Sequence, residues 1–358
     1  MLPPFPPPPL PPAGRRHALS IVITNRDYAA YLPSALRSAL EQQGAAVEVI
    51  VVDDGSTDGS REILACHGDR IRPILLAGEG QRAGFNAGFA ACSGDVVLFL
   101  DADDKLRPGT AAAVLGVFAA HPDAARVVFR LDVVDAAGRP TGIRVPAERM
   151  ALPAGDVRGE VLAFPDDLAW PPTSGNAFAA WALRQLMPMP LDGERVGADA
   201  YLHPLVPLLG PVVALDHVGG SYRLHGRNAH GRDRLDVHRS RVLLRRALRM
   251  HAEVDRQARR LGYGPARPRS VTTAAHRVVS LRLGGPGHPI PGDTRRRVLR
   301  AGLRAAQGRG DVRPARRLAY AAWFVLAVLG PPAALRVLAE ASLQSLRPGG
   351  PVRRLTRS

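Results

Sequence analysis

An α/β fold is predicted for this 358-residue chain: a mostly parallel sheet flanked by helices, with a C-terminal helical extension. Three observations carry that prediction. Short apolar runs alternate with helically spaced segments from residue 19 to about residue 120. Acidic clusters follow two of the runs, Asp53-Asp54 and Asp101-Ala102-Asp103-Asp104. Beyond residue 228 the chain turns arginine-rich and reads as mainly helical.

The elements follow in order. Leu19 to Thr24 is a β-branched run, hence a strand. Leu32 to Gln43 places Leu32, Leu36, Ala39 and Leu40 at helical spacing. Val47 to Val52 is a second strand, ended by Asp53-Asp54-Gly55-Ser56, and Thr57 or Asp58 caps the helix that runs to about His67. Ile71 to Leu76 is a third strand, Arg82 to Cys92 a helix, Asp95 to Leu100 a fourth strand, and a further helix starts near Pro108. Buried strands alternating with helices form parallel sheets covered on both faces, and ligands of such sheets sit beyond the carboxyl ends of the strands. Both acidic clusters lie at such ends.

Charge divides the chain. Residues 1–228 hold 20 basic and 25 acidic side chains, net −5, while residues 229–358 hold 28 and 7, net +21, which together give +16. A field of that sign attracts phosphate-rich partners, and a solvated helical face explains it as well. Two cysteines, Cys66 and Cys92, exclude a disulfide-stapled fold and a cysteine-built zinc site. Residues 1–17 read as a disordered proline-rich tail, with neither the basic start nor the apolar stretch of a signal peptide, so the first half is expected on the cytoplasmic side. The apolar run Leu318 to Leu329, flanked by Arg316, Arg317 and Arg336, is shorter than the ~20 residues of a spanning helix. It suits a peripheral membrane contact and, equally, a buried helix. The expected domains are thus 1–17, 18–228 and 229–358.

Three carboxylates within four residues repel one another, and a divalent cation resolves the conflict. Aspartate oxygens suit Mg²⁺ or Mn²⁺. Each cluster is also a good turn, and Gly78 to Gly84 matches a dinucleotide fingerprint only loosely, since its last spacing is one residue too long.

Five stretches, in order, resemble the family 2 glycosyltransferases, inverting nucleotide-sugar enzymes of GT-A fold. They are Ser-Ile-Val-Ile-Thr-Asn-Arg-Asp-Tyr-Ala-Ala-Tyr-Leu (20–32), Val-Val-Asp-Asp-Gly-Ser-Thr-Asp-Gly-Ser (51–60), Gly-Gln-Arg-Ala-Gly-Phe-Asn-Ala-Gly (80–88), Phe-Leu-Asp-Ala-Asp-Asp (99–104) and Tyr-Arg-Leu-His-Gly (222–226). The resemblance covers residues 19–228 and leaves out the arginine-rich end. It implies that Thr24, Asn25, Asp53, Asp54, Arg82, Asn86 and Asp101 bind the nucleotide sugar. It implies that Asp101, Asp103 and His225 serve a Mn²⁺ or Mg²⁺ ion, with Asp104 supporting. It implies a catalytic base at Asp199, where alanine stands in place of the usual preceding glutamate and Asp192 and Glu194 are alternatives. Pro171 to Phe178 resembles an acceptor-side loop, so Thr173, Ser174 and Asn176 are expected to touch sugar hydroxyls. Arg26-Asp27 departs from the usual Tyr-Asn.

The expected reaction moves a sugar from a nucleoside-diphosphate sugar to an acceptor hydroxyl with inversion. The expected acceptor is a saccharide or lipid-linked molecule of the cell envelope. The expected setting is cytoplasmic, with peripheral contact at an anionic membrane face, and nucleic acid is not an expected partner. The competing reading is a catalytically inactive GT-A-like module with a basic membrane- or nucleic-acid-binding tail. A sugar-phosphate nucleotidyltransferase is disfavoured, because its lysine-bearing signature is missing: the only lysine is Lys105.

Overall fold

The computed structural model describes residues 2–8, 18–191, 197–226, 237–266, 268–309, 312–335 and 337–338. Parts of the predicted tail, Asp192, Glu194 and Arg336 lie outside the described residues.

The elements run β1 (Leu19–Asn25), α1 (Leu32–Leu40), β2 (Val47–Asp54), α2 (Ser60–Ala65), β3 (Arg72–Leu76), α3 (Gln81–Ala91), β4 (Val96–Asp101), β5 (Lys105–Leu106), α4 (Thr110–Ala120), β6 (Arg126–Val134) and β7 (Pro140–Val145). They continue α5 (Arg158–Ala163), β8 (Asn176–Ala179), α6 (Ala180–Leu183), α7 (Ala198–Leu205), β9 (Val212–Arg223), α8 (Val237–Arg260), α9 (Val271–Gly284), α10 (Arg295–Gly308) and α11 (Pro314–Leu329).

The chain forms two compact units. Among the described residues, one holds those of 3–157 and 169–226; the other holds those of 158–168 and 237–338 together with Leu2. Segment 158–168 therefore joins the C-terminal unit, which sequence boundaries alone did not indicate. Its Asp167 carboxylate explains why: it accepts from the backbone N–H groups of Val271 and Thr272 and from the Ser270 hydroxyl at the start of α9, and pairs with Arg309 at 3.3 Å.

The first unit is built on one sheet of order β3-β2-β1-β4-β8-β6-β9-β5, with β7 beside β6. The β3-β2-β1-β4 half is parallel. β8 then runs antiparallel between β4 and β6, while β9 is parallel to β6 and antiparallel to β5. Ile21, Val22 and Ile23 of β1 and Val97 to Leu100 of β4 are wholly buried, as strands covered on both faces require. In register, Asn25 lies opposite Asp53 and Thr24 opposite Asp101, so the carboxyl ends of β2, β1 and β4 stand side by side.

The second unit packs α9, α10 and α11 around a core that includes Val278, Val298, Ala305, Tyr320, Phe324 and Ala327. Ser270 caps α9 by accepting from the Thr273 N–H, and Thr294 caps α10 by accepting from the Arg297 N–H. Among the described residues, no helix is long and apolar enough to cross a membrane.

Candidate active site

The site gathers at the carboxyl ends of β1, β2 and β4. Beyond β2, Asp53 is wholly buried. Its carboxylate accepts from Asn25 Nδ2 at 2.8 Å, Ser56 N at 3.0 Å and Arg61 Nε at 2.9 Å. Burial pushes this carboxyl up, but the hydrogen bonds from Ser56, Arg61 and Asn25 outweigh it and hold the group below its ordinary range. Asp54 accepts from the backbone N–H groups of Glu79 at 2.6 Å and Gly80 at 2.8 Å and from Arg26 at 3.4 Å. The two loops meet closely: a Cβ on Gly55, whose φ is +78°, would lie 2.9 Å from the Gly78 nitrogen.

Beyond β4, three carboxylates divide their tasks. Asp104 is turned inward, accepting from the Ser174 hydroxyl at 2.7 Å and the Arg223 N–H at 2.9 Å. Asp103 Oδ2 meets His225 Nε2 at 2.8 Å, and both side chains are nearly buried. Asp101 is half-buried at the end of its strand. Burial first, then the charges of Asp103 and Asp199, push its carboxyl up to about 8, with the Thr173 hydroxyl opposing. Burial, then the charges of Asp103 and Asp101, raise Asp104 as well. Like charges packed this tightly suit a cation.

His225 is fixed from the other side by aromatic rings. Tyr31 stacks on it at 5.0 Å between centroids and 25° between planes, and Tyr28 meets it edge-on at 5.6 Å. Arg223 lies over Tyr31 at 4.9 Å and donates to the Asp103 carbonyl at 2.9 Å. Burial, then the charges of Asp103, Asp101 and Asp104, push the Tyr28 phenol up to about 12. Burial, led by the Asp104 charge among its neighbours, raises Tyr222 too. Sequence reasoning missed Tyr28, Tyr31, Tyr222 and Arg223 as site residues. The signal was present, since all four lie inside quoted motifs.

Asp199 opens α7, half-buried, in the first turn beyond the N-cap Gly197. Its charge contributes to raising Asp101. Arg82 donates to the Pro190 carbonyl at 2.8 Å, and Asn86 exchanges hydrogen bonds with the backbone of Met189, so both brace the segment leading towards α7. Ser174 also accepts from the Asp101 N–H at 3.1 Å.

Three predicted ligand contacts take a different form here. Asp53, Ser174 and Asn176 are wholly buried, with their polar groups bonded inside the fold. Asn176 donates to the carbonyls of Pro172 and Thr173, and its oxygen accepts from the Nε and Nη2 of the buried Arg126. Burial forces this because a polar side chain removed from water must find partners.

The donor set fits a divalent cation held by few protein ligands: one carboxylate, one imidazole and a second carboxylate nearby. Among the described residues, no group of three or more such side chains forms a ready cage.

This sheet, with an Asp-x-Asp turn at the end of its fourth strand, defines a GT-A fold. The sequence model of glycosyl transferase family 2 matches residues 20–150. An uncharacterised glycosyltransferase of Nostoc is 35% identical over 216 residues, 59% of this chain and 66% of that protein. The succinoglycan biosynthesis protein ExoO of Rhizobium meliloti is 35% identical over 140 residues, 38% of this chain and 39% of its own length. An undecaprenyl-phosphate 4-deoxy-4-formamido-L-arabinose transferase of Pseudomonas syringae is 42% identical over 98 residues, 25% of this chain and 29% of that protein. The chain thus matches less than two thirds of the length of these relatives. Among solved structures, residues 1–349 of S. aureus TarS superpose with a TM-score of 0.51 at 15% identity, covering 92% of each chain. TarS has also been crystallised with UDP-GlcNAc. Residues 20–150 belong to glycosyl transferase family 2.

Proposed function

We propose that this chain is an inverting, metal-dependent glycosyltransferase that moves a sugar from a nucleoside-diphosphate sugar to an acceptor hydroxyl. The single observation that supports this most is the Asp103–His225 pair beside Asp101 at the carboxyl end of β4. The succinoglycan and arabinose-transferase relatives support a saccharide or lipid-linked acceptor of the cell envelope. The donor of the TarS complex supports a uridine nucleotide. The setting that goes with such an acceptor is the cytoplasmic face of a membrane.

Asp103 and His225 would hold Mn²⁺ or Mg²⁺. Such an ion neutralises charge on a departing diphosphate. Thr24 and Asn25 line the nucleotide side at the end of β1. Asp54 holds the loop at Gly78 to Gly80 against that side, and Asp53 fixes Asn25 beneath it. Arg82 and Asn86 keep the donor wall attached to the segment before α7. Asp101 faces the ribose, and Thr173 orients its carboxylate. Asp199 accepts the proton of the attacking hydroxyl, a role typically worth ~10²–10⁴-fold in rate. The attack passes through an oxocarbenium-like transition state and inverts the anomeric centre in one displacement. Ser174 and Asn176 act on the acceptor side by setting the shape of its loop.

The test is a thermal-shift series with nucleotide sugars, with and without Mn²⁺. A ligand that binds only the folded state must stabilise it. A nucleotide sugar should raise the melting temperature only with Mn²⁺, and Asp103→Ala or His225→Ala should abolish the rise. A metal-independent shift that survives both substitutions would remove the ligand assignment. Donor hydrolysis in the same samples separates an enzyme from an inactive module.

A further inference from the structure

We propose that the outward face of α11 is a membrane-docking surface for an anionic bilayer; this rests on the membrane setting proposed above. The inward face of the helix is spent on the core of its unit: Tyr320, Trp323, Phe324, Ala327 and Val328 are buried there. The opposite face is apolar and exposed. Leu318 is 72% exposed, Leu326 56% and Leu329 66%, with Val325 and Ala322 exposed between them. Positions 318, 322, 325, 326 and 329 share one side of a helix by the 3.6-residue period. Soluble proteins seldom leave such a contiguous apolar stripe in water.

The charge of the sequence in which the stripe lies names its occupant: residues 229–358 carry 28 arginines against 7 acidic side chains. Helices α10 and α11 carry Arg295, Arg296, Arg297, Arg300, Arg304, Arg316 and Arg317, and neither holds an aspartate or glutamate. An apolar partner protein needs no such excess, whereas an anionic lipid surface complements both the stripe and the charge. At 16 residues, α11 is shorter than the ~20 needed to span. It therefore lies in the headgroup plane with leucines inserted and arginines at phosphate level.

The experiment uses the full chain and sedimentation with vesicles of phosphatidylcholine, with or without phosphatidylglycerol. The wild type should bind the anionic vesicles and lose binding as salt rises. Leu326→Glu/Leu329→Glu should weaken that binding at least about tenfold, and Leu318→Gln alone should weaken it less. Arg316→Gln/Arg317→Gln should flatten the salt dependence. Melting curves on each variant should stay near wild type, because the substituted leucines are exposed. Failure of the wild type to bind, or full binding by the double leucine variant, overturns the proposal. So does a wild-type dimer in size exclusion that the leucine substitutions dissociate. Nucleotide-sugar hydrolysis without vesicles should be unchanged in the leucine variants. Its absence from wild type with vesicle binding intact would count against the glycosyltransferase reading alone.

Discussion

Asn176→Ala separates two accounts of one loop. As an acceptor contact, Asn176 would matter to binding of the sugar and little to folding. In the structure it has no exposed surface, and its amide joins a buried arginine to the loop before β8. The Arg126 guanidinium takes Asn176 Oδ1 with Nε and Nη2, gives Nη1 to the His203 carbonyl at 3.2 Å, and stacks over Trp170 at 4.1 Å. Burial pushes this guanidinium well below its ordinary pKa, while Asp199 acts in the opposite sense. Truncation removes two hydrogen bonds from a buried cation and takes a donor from the Pro172 and Thr173 carbonyls, of which Pro172 keeps the Gly175 N–H. Hydrogen bonds to charged groups are worth about 1.5–3 kcal/mol each, and stripping a partner from a buried charge costs about 3–5 kcal/mol. An expected loss of about 3–5 kcal/mol corresponds to a fall in melting temperature of roughly 6–20 °C for a unit of this size. Urea denaturation followed by circular dichroism measures it. A loss under about 1 kcal/mol, together with a raised acceptor KM, would refute the buried-brace account and restore direct contact.

Three further outcomes are expected. Asp199→Asn should lower kcat by about 10²–10⁴-fold while leaving Mn²⁺-dependent donor binding nearly unchanged; wild-type turnover in that variant would exclude it as the base. Gly220→Ala should destabilise by about 1–3 kcal/mol, because its Cβ would sit 2.3 Å from the Lys105 carbonyl oxygen across the β5–β9 pair, and an unchanged urea midpoint would contradict that packing. Asp293 is pushed up by burial, yet the hydrogen bonds of Arg277 and His288 overcome this and hold its carboxyl below the ordinary range. A depressed carboxyl contributes stability that is present above its unfolded pKa of about 3.9 and is lost as pH falls through the lower folded value. Asp293→Asn should therefore fall short of wild type in urea melts at neutral pH, with the gap closing as pH drops below about 4. A gap that stays constant with pH would mean the pair is not ionic.

The parallel half of the fold was legible because β1, β4 and the middle of β2 are apolar on both faces and its helices keep one period. Boundaries moved where side chains found partners beyond their own element. α1 ends at Leu40 and not at Gln43, because Gln42 donates to the Arg107 carbonyl and accepts from the Ala111 N–H. The N-cap of α2 is Gly59, with φ +89°, while Asp58 accepts from the Ser60 N–H and hydroxyl from just outside. β8 is four residues long, and β9 carries Asp216, His217 and two glycines, so neither shows a strand pattern of its own. In the site, the Asp-x-Asp pair was readable from local spacing at a strand end. The Tyr31–His225 stack and the Ser174–Asp104 bond were not, because each joins residues far apart in sequence.

Sheet register sets the Asp103–His225 side of this site more than the acidic turn does. β9 pairs Ser221 with Lys105 of β5 and Arg223 with Val134 of β6. At that register Arg223 gives its N–H to Asp104, its Nε to the Asp103 carbonyl and its face to Tyr31. His225, two residues on, then meets both the Asp103 carboxylate and the Tyr31 ring. A slip of one residue would turn Arg223 to the opposite face of the sheet and break all three of its contacts at once. Gly219 and Gly220 hold the register by letting β9 pass where a Cβ would strike Phe129 on one side and the Lys105 carbonyl on the other, each at 2.3 Å. Gly220→Ala therefore bears on chemistry as well as stability. If register governs the pair, that variant loses Mn²⁺-dependent donor binding in samples that remain folded, although residue 220 bears no ligand.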